Sequence, residues 1–225
     1  MVSFSVMSLQ IMRGAKPRIL DLYCGAGGAG QGYSIAGFDV AGVDVEPQPH
    51  YPFCFVQGDA LKVSWRGFDA IHASPPCQRW SGASGKESQI RNEVHLDLLR
   101  PTRELLKESG LPYVIENVES APLYNPLKLC GTLFDHLRVL RHRLFETNFP
   151  VPQPDLNCYH HPFVYDPSKN MNPYEDYVTV AGGLNCPVDA AKQAMNIDWM
   201  NRQELSQSIP PAYTNYVGKF LKLWI

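Results

Sequence analysis

The sequence lacks closely spaced cysteine pairs. Six cysteines stand at positions 24, 54, 77, 130, 158 and 186, and none of them forms the short paired spacing of a zinc ribbon or a redox dithiol. The run Cys158-Tyr159-His160-His161, with Cys186 as a distant fourth ligand, also matches no common zinc pattern. We therefore expect reduced thiols, no bound metal and a cytoplasmic location.

Long hydrophobic runs are missing as well. The first fifteen residues are too polar for a secretory signal and too short to span a bilayer. We predict a flexible tail over residues 1–15 and no membrane partner. Internal repeats and low-complexity tracts are also absent, and 225 residues with 44% hydrophobic content suit a single compact unit, which we expect to be a monomer.

An excess of positive charge is the third absence. The formal net charge is −2 and charged residues make up 19% of the chain. This charge balance argues against a protein that binds nucleic acid over most of its surface. A groove that binds a polyanion would therefore need a local cluster of basic side chains. The candidates are Arg79, Lys86, Arg91, Lys128, Arg138, Arg141 and Arg143.

Apolar segments that recur near positions 18, 39, 53, 68 and 112 predict five strands separated by helical stretches. This order is typical of an α/β fold with an open, mostly parallel, doubly wound sheet. We predict that a helix over Asn92–Ser109 precedes the strand near 112, with Pro101 starting its second half or kinking it. Its predicted buried stripe is Leu96, Leu99, Leu105 and Leu106.

A glycine-rich turn, Cys24–Gly30, follows the first strand and leads into a helix that runs through Ala36. Such a turn admits positive φ angles and presents helix N–H groups to a nucleotide. Asp44 ends the second strand, about twenty residues after the glycine turn. A carboxylate at this place can accept hydrogen bonds from both ribose hydroxyls of a nucleotide. Asp59 follows the third strand, where it either accepts a bond from an adenine amino group or caps the next segment.

The segment Pro75-Pro76-Cys77-Gln78 follows the fourth predicted strand. Two prolines stiffen this turn, so little entropy is lost when Cys77 is presented to a ligand. The thiol is then positioned as a nucleophile. The alternative is a rigid turn that holds an incidental buried thiol.

These motifs, taken in order, resemble those of the cytosine-5 DNA methyltransferases, in a small form. The resemblance rests on Asp21–Gly28, Pro75–Gln78 with Ser81, Glu116–Val118, Arg141–Arg143, and the C-terminal stretches Met200–Pro210 and Ala212–Gly218. It covers roughly residues 18–149 and 195–222. It implies a Rossmann-like S-adenosylmethionine-dependent methyltransferase fold, with S-adenosylmethionine as the cofactor and DNA as the partner.

The resemblance also implies roles for individual residues. The Cys77 thiolate would add to carbon 6 of cytosine, Glu116 would hold nitrogen 3 and the exocyclic amine, and Arg141 or Arg143 would grip the carbonyl oxygen and a flanking phosphate. A base in a duplex would have to be flipped out of the stack. The cofactor-binding candidates are Asp21, which we expect to tether the glycine turn, Tyr23, Gly25, Gly27, Gly28, Asp44, Asp59, Pro76 and Thr214, and the substrate-binding candidates are Gln78, Ser81 and Asn117.

Arg141 and Arg143 alternate with His142 in a predicted strand over 138–145, so we expect both arginines on one face and His142 on the other. Residues 16–145 and 191–225 would form the catalytic unit, and 146–190 a short target-recognition-like insertion. Because that insertion is brief and basic residues are few, the same chemistry on RNA or on free cytosine nucleotides stays an alternative. A non-catalytic nucleotide- or nucleic-acid-binding protein is the remaining alternative.

Overall fold

The computed structural model describes residues 16–78, 80, 97–154, 158, 164–180 and 186–225. The strands are β1 (Arg18–Leu22), β2 (Asp39–Asp44), β3 (Cys54–Gln57), β4 (Ala70–Ala73), β5 (Tyr113–Asn117), β6 (Leu127–Leu129) and β7 (Arg143–Thr147). The α-helices are α1 (Gly28–Ala36), α2 (Leu99–Ser109), α3 (Val188–Met195), α4 (Arg202–Gln207) and α5 (Pro211–Leu221).

The seven strands form one sheet, in the order β3-β2-β1-β4-β5-β7-β6. The first five strands along the chain pair in parallel, whereas β7 runs antiparallel to both β5 and β6. The chain builds outward from β1 to β3 and then returns to place β4 on the other side of β1. In such sheets a ligand crevice lies outside the carboxyl ends of the strands at this change of direction.

The core lies on both faces of the sheet, because successive residues of a strand point to opposite sides. Ile19 belongs to a buried cluster that also contains Tyr33 of α1 and Val217 of α5. Its neighbour Leu20 belongs to a second cluster with Leu106 of α2. The predicted open, mostly parallel, Rossmann-like sheet with helices on both faces is therefore confirmed.

Several element boundaries differ from the predictions. The strand predicted over 138–145 is regular only from Arg143, and the residues before it make a single bridge from Val139 to Val178. Strand β7 then continues to Thr147, and α3 already begins at Val188, so both enter the predicted insertion. An alternation of basic and apolar residues indicates an extended backbone, but it does not show at which residue the hydrogen bonds to the neighbouring strand begin.

The helix predicted over Asn92–Ser109 is found at Leu99–Ser109, and residues 92–96, including Leu96, lie outside the described part. Pro101 occupies its first turn, where a missing N–H breaks no intrahelical bond, so it does not kink the helix. Leu99 and Leu106 are buried, while Leu105 is half-buried. Among the described residues, no helix is both long and apolar enough to cross a membrane.

Candidate active site

A cleft of about 900 Å³ opens at the carboxyl ends of β1, β2, β4 and β5. This is the edge at which the sequence predicted a ligand site. The predicted residues that line the cleft are Asp21, Tyr23, Gly25, Gly28, Asp44, Asp59, Pro76, Cys77, Gln78, Glu116, Asn117, Arg141 and Arg143.

The glycine turn is connected to Asp44 across the end of the sheet. Gly25 has a positive φ of 48°, and its N–H donates to Asp44 Oδ2 at 3.0 Å. The other carboxylate oxygen, Oδ1, accepts from the N–H of Glu46 at 3.1 Å. Asp44 is thus fixed at the mouth of the turn, where a carboxylate can accept bonds from vicinal hydroxyls.

Asp21 is fully buried beneath the glycine turn. Its Oδ2 accepts a hydrogen bond of 3.1 Å from the Tyr51 hydroxyl, whereas its Oδ1 has no hydrogen-bond partner. Burial raises the pKa of Asp21 to about 8, and the Tyr51 bond opposes this rise. The donor that we expected from the glycine turn is therefore supplied mainly by Tyr51, which the sequence did not single out.

Asp59 and Tyr23 line the cleft with their polar groups already engaged. Asp59 Oδ1 accepts from the Leu61 N–H at 3.0 Å, and Lys62 Nζ lies 3.1 Å from Oδ2. The capping role weighed for Asp59 is therefore present. The Tyr23 hydroxyl shares a bond of 2.8 Å with Thr102 Oγ1, so this ring is oriented by α2.

The loop that carries Cys77 is held from two sides. Asn117 is buried at the end of β5, where its Nδ2 donates to the Pro75 carbonyl at 2.9 Å and its Oδ1 accepts the Val118 N–H at 2.9 Å. On the other side, buried His72 shares a bond of 2.8 Å with Ser74 Oγ. Asn117 was predicted to bind substrate, yet both ends of its amide bond the protein, so it positions the loop.

Glu116 and Arg143 form an ion pair inside the cleft. Arg143 Nε lies 2.9 Å from Glu116 Oε1, and both side chains are largely shielded from solvent. Arg143 Nη1 also donates to the His142 carbonyl at 2.7 Å. The pair leaves a carboxylate oxygen and guanidinium N–H groups in the cleft that Cys77 also lines, which suits a polar planar ring.

Arg141 is more deeply buried, and its guanidinium holds distant segments together. Its Nη1 donates to the Val180 carbonyl and its Nη2 donates to the Ser206 carbonyl at 2.8 Å, whereas its Nε has no hydrogen-bond partner. Burial, and then repulsion by Arg143, lower the pKa of Arg141 to about 9. Arg141 therefore brings positive charge to the lining of the cleft, in which Arg143 is the more accessible arginine.

Two predicted cofactor contacts lie outside the cleft lining. Gly27 has a φ of 87° and precedes α1, where a Cβ atom would press against Tyr51 and Pro52. The Thr214 hydroxyl is buried and donates to the Ala29 carbonyl at 2.8 Å, which joins α5 to α1. Both residues thus serve packing. Ser81, Arg79, Lys86 and Arg91 lie outside the described residues.

The sequence did not identify the contribution of α4 to the cleft. Asn201, Gln203, Glu204 and Ser206 also line the cleft. Asn201 and Glu204 form a capping box at the start of α4, and Glu204 Oε1 also lies 2.8 Å from His50 Nδ1. The Asn-x-x-Glu spacing signals this helix start, but only the tertiary fold carries it to the cleft.

Comparisons with known proteins identify the fold. No protein-family model and no curated protein matches the sequence. Among solved structures, the chain is similar to a protein described as a DNA modification methyltransferase encoded within an E. coli prophage, with a TM-score of 0.62, 14% identity, and coverage of 92% of this chain and 99% of that one.

Two DNMT2 structures are also similar. A mutant of Spodoptera frugiperda DNMT2 has a TM-score of 0.58 and 12% identity, with coverage of 92% of this chain and 99% of that one. The S. pombe Dnmt2 methyltransferase has a TM-score of 0.54 and 13% identity, with coverage of 93% and 99%. The shared architecture therefore extends over nearly the whole of each chain.

Proposed function

We propose that this chain is an S-adenosylmethionine-dependent methyltransferase that acts on carbon 5 of cytosine in DNA, through a covalent bond to Cys77. The supporting observation is that a single cleft is lined by Cys77 on its proline-stiffened loop, by the Glu116–Arg143 pair and by the glycine turn with Asp44. A thiol nucleophile, a carboxyl group and a nucleotide cradle are the parts that this chemistry needs in one place.

The residues of the glycine turn fit the proposed cofactor. Gly25 and Gly28 line the cleft without side chains, Asp44 offers a carboxylate at its mouth, and the unpartnered Oδ1 of Asp21 is buried beneath it. The adenosine part would bind against Asp44, Asp59 and Tyr23. Bound S-adenosylmethionine would supply an electrophilic methyl group on a sulfonium.

Cys77 would begin the reaction. Carbon 5 of cytosine is a weak nucleophile, so the Cys77 thiolate adds to carbon 6 and places carbanion character on carbon 5. When carbon 5 has gained the methyl group, a water molecule takes its remaining proton. The electrons of that C–H bond restore the carbon 5–carbon 6 double bond, and the carbon 6–sulfur bond breaks to release the Cys77 thiolate. Asn117 would keep Sγ in position, because its amide holds the Pro75 carbonyl at 2.9 Å.

Glu116 and Arg143 would bind the cytosine ring during this addition. The Glu116 carboxyl group would share a proton with nitrogen 3 and accept from the exocyclic amine, while guanidinium N–H groups of Arg143 would donate to the carbonyl oxygen. Their 2.9 Å contact fixes the two groups relative to each other before substrate arrives. Charge that develops on the ring is then met by donors that need no rearrangement.

Methyl transfer to several nucleic acids tests the proposal. The full chain would be incubated with S-adenosylmethionine carrying a tritium-labelled methyl group and with duplex DNA, tRNA or cytidine nucleotides. We expect label in the 5-methylcytosine of DNA, lost in Cys77→Ser and retained in the control Cys54→Ser, whose exposed cysteine lies outside the cleft lining. Label in RNA or nucleotides alone would reassign the substrate, and absence of label in all of them would contradict the proposed activity.

A further inference from the structure

A cluster of metal-type ligands lies outside the cleft, on the opposite side of the Arg141–Arg143 segment. Cys130 follows β6, His142 precedes β7, and Cys158 belongs to the segment after β7. Their ligand atoms all lie within 4.8 Å of one another. Cys130 is fully buried, and the other two residues are partly shielded from solvent.

We propose that Cys130, His142 and Cys158 bind a zinc ion. Two thiolates and an imidazole are the donors that zinc prefers, and three protein ligands suffice when water completes the tetrahedron. Zinc bonds of about 2.3 Å to sulfur and about 2.0 Å to nitrogen require ligand atoms about 3.5–3.8 Å apart. His142 Nε2 and Cys158 Sγ are 3.1 Å apart, so a small opening of this contact would admit the ion.

The imidazole of His142 is oriented as a metal ligand usually is. While Nε2 faces the sulfur of Cys158, Nδ1 lies 2.8 Å from Glu119 Oε2. The second oxygen of Glu119 accepts from Lys128 Nζ at 3.0 Å, which fixes the carboxylate. A carboxylate that holds the far ring nitrogen sets the tautomer and orientation of a zinc-bound histidine. This arrangement is an observation separate from the grouping of the three ligands.

No pattern in the sequence groups these three residues. The sequence groups Cys158 with His160, His161 and Cys186 as potential metal ligands, but their spacing matches no common zinc pattern, so we expected no metal. His160 and His161 lie outside the described residues, and Cys186 is not part of the cluster. The three ligands come from segments 12 and 16 residues apart along the chain, and the β6–β7 pairing brings Cys130 and His142 together.

The position of the cluster suggests what the ion would do. His142 stands between Arg141 and Arg143, and its side chain points away from the cleft, as predicted from the alternation. A zinc ion bound there would fasten the Cys158 segment to the start of β7 and hold the backbone from which both arginines project. The proposed site is structural, and it does not depend on the identity of the methyl acceptor.

Metal analysis of the purified full chain tests this proposal. Elemental mass spectrometry should find one zinc ion per chain. The zinc should be lost in His142→Ala and in Cys158→Ser and retained in the control Cys54→Ser. In case a variant fails to fold, cobalt reconstitution of the unaltered chain provides a second measurement, with a thiolate-to-cobalt charge-transfer band expected. Absence of zinc together with absence of that band would overturn the proposal.

A count of free thiols separates zinc from a disulfide. After denaturation with a chelator and without reductant, a zinc site leaves all six cysteines reactive. Two fewer reactive thiols and no metal would instead identify a Cys130–Cys158 disulfide and would overturn the proposal.

Discussion

Arg143 Nε and Glu116 Oε1 lie 2.9 Å apart where β7 begins beside the end of β5 in the sheet. Each charge therefore enters the cleft with its counter-ion, which lowers the cost of keeping both in a partly buried position. Such a pair presents donors and acceptors in a fixed arrangement to a neutral polar ring.

Replacing Glu116 with Gln should slow methyl transfer strongly while leaving cofactor binding nearly unchanged. The amide keeps the shape of the side chain but loses the acid–base role, which is typically worth about 10²–10⁴-fold in rate. Methyl incorporation under saturating cofactor would measure the rate, and equilibrium dialysis would measure cofactor binding. A variant with unchanged turnover would show that Glu116 does not take part in the chemistry.

Replacing Asn117 with Ala should loosen the loop that carries Cys77. The buried Pro75 carbonyl would lose its 2.9 Å donor, at a cost of about 1–3 kcal/mol in the free energy of unfolding. Methyl transfer should fall as well, because the nucleophile is no longer held in place.

Asn148→Ala is the matched control for Asn117→Ala. Asn148 makes an equivalent pair of bonds at the other end of β5, to the Tyr113 N–H at 2.7 Å and the Leu111 carbonyl at 3.0 Å. Urea unfolding should show both variants to be destabilised, with transfer reduced beyond the loss of folded protein only in Asn117→Ala. Equal losses of specific activity in the two variants would contradict the positioning role.

Asp21 should make the folded chain less stable as the pH rises. Its pKa is raised by burial from 3.8 to about 8, so between these values the folded state keeps a proton that the unfolded state has lost. The stabilising contribution is complete below the unfolded pKa and declines by up to about 1.4 kcal/mol per pH unit until the folded pKa is passed.

Urea unfolding at a series of pH values would measure this effect of Asp21. The variant Asp21→Asn should have a flatter stability profile between pH 3.8 and about 8, because its side chain does not titrate. Parallel profiles for the two proteins over that window would show that Asp21 is ionised in the folded state.

The sequence predicted the parts of the fold that depend on local pattern. The five parallel strands, the glycine turn and the strand-end positions of Asp44, Cys77 and Glu116 all follow from runs of apolar residues that stop at turn or polar residues. The alternation of residues around His142 likewise predicted that its side chain points away from the cleft.

The remaining features depend on contacts between distant segments. The guanidinium of Arg141 donates to carbonyl groups that lie 39 and 65 residues away along the chain. The sequence around Arg141 therefore does not indicate that part of its guanidinium is already hydrogen-bonded to the protein. Thr214 was a predicted cofactor contact because Ala212–Gly218 resembles the start of a cofactor-facing helix, but its hydroxyl donates to the Ala29 carbonyl where α5 packs on α1. The cluster of Cys130, His142 and Cys158 likewise joins distant segments, two of them through the β6–β7 pairing.

The covalent bond between Cys77 Sγ and carbon 6 of cytosine is tested most directly by trapping it. Duplex DNA that contains 5-fluorocytosine would be incubated with the full chain and S-adenosylmethionine, because fluorine at carbon 5 cannot leave as the proton does. Mass spectrometry of the digested complex should find the DNA attached to the Cys77 peptide in the unaltered chain and in Cys54→Ser, but no complex in Cys77→Ser. Methyl transfer to ordinary DNA without a trapped complex, or a complex at another cysteine, would contradict the account.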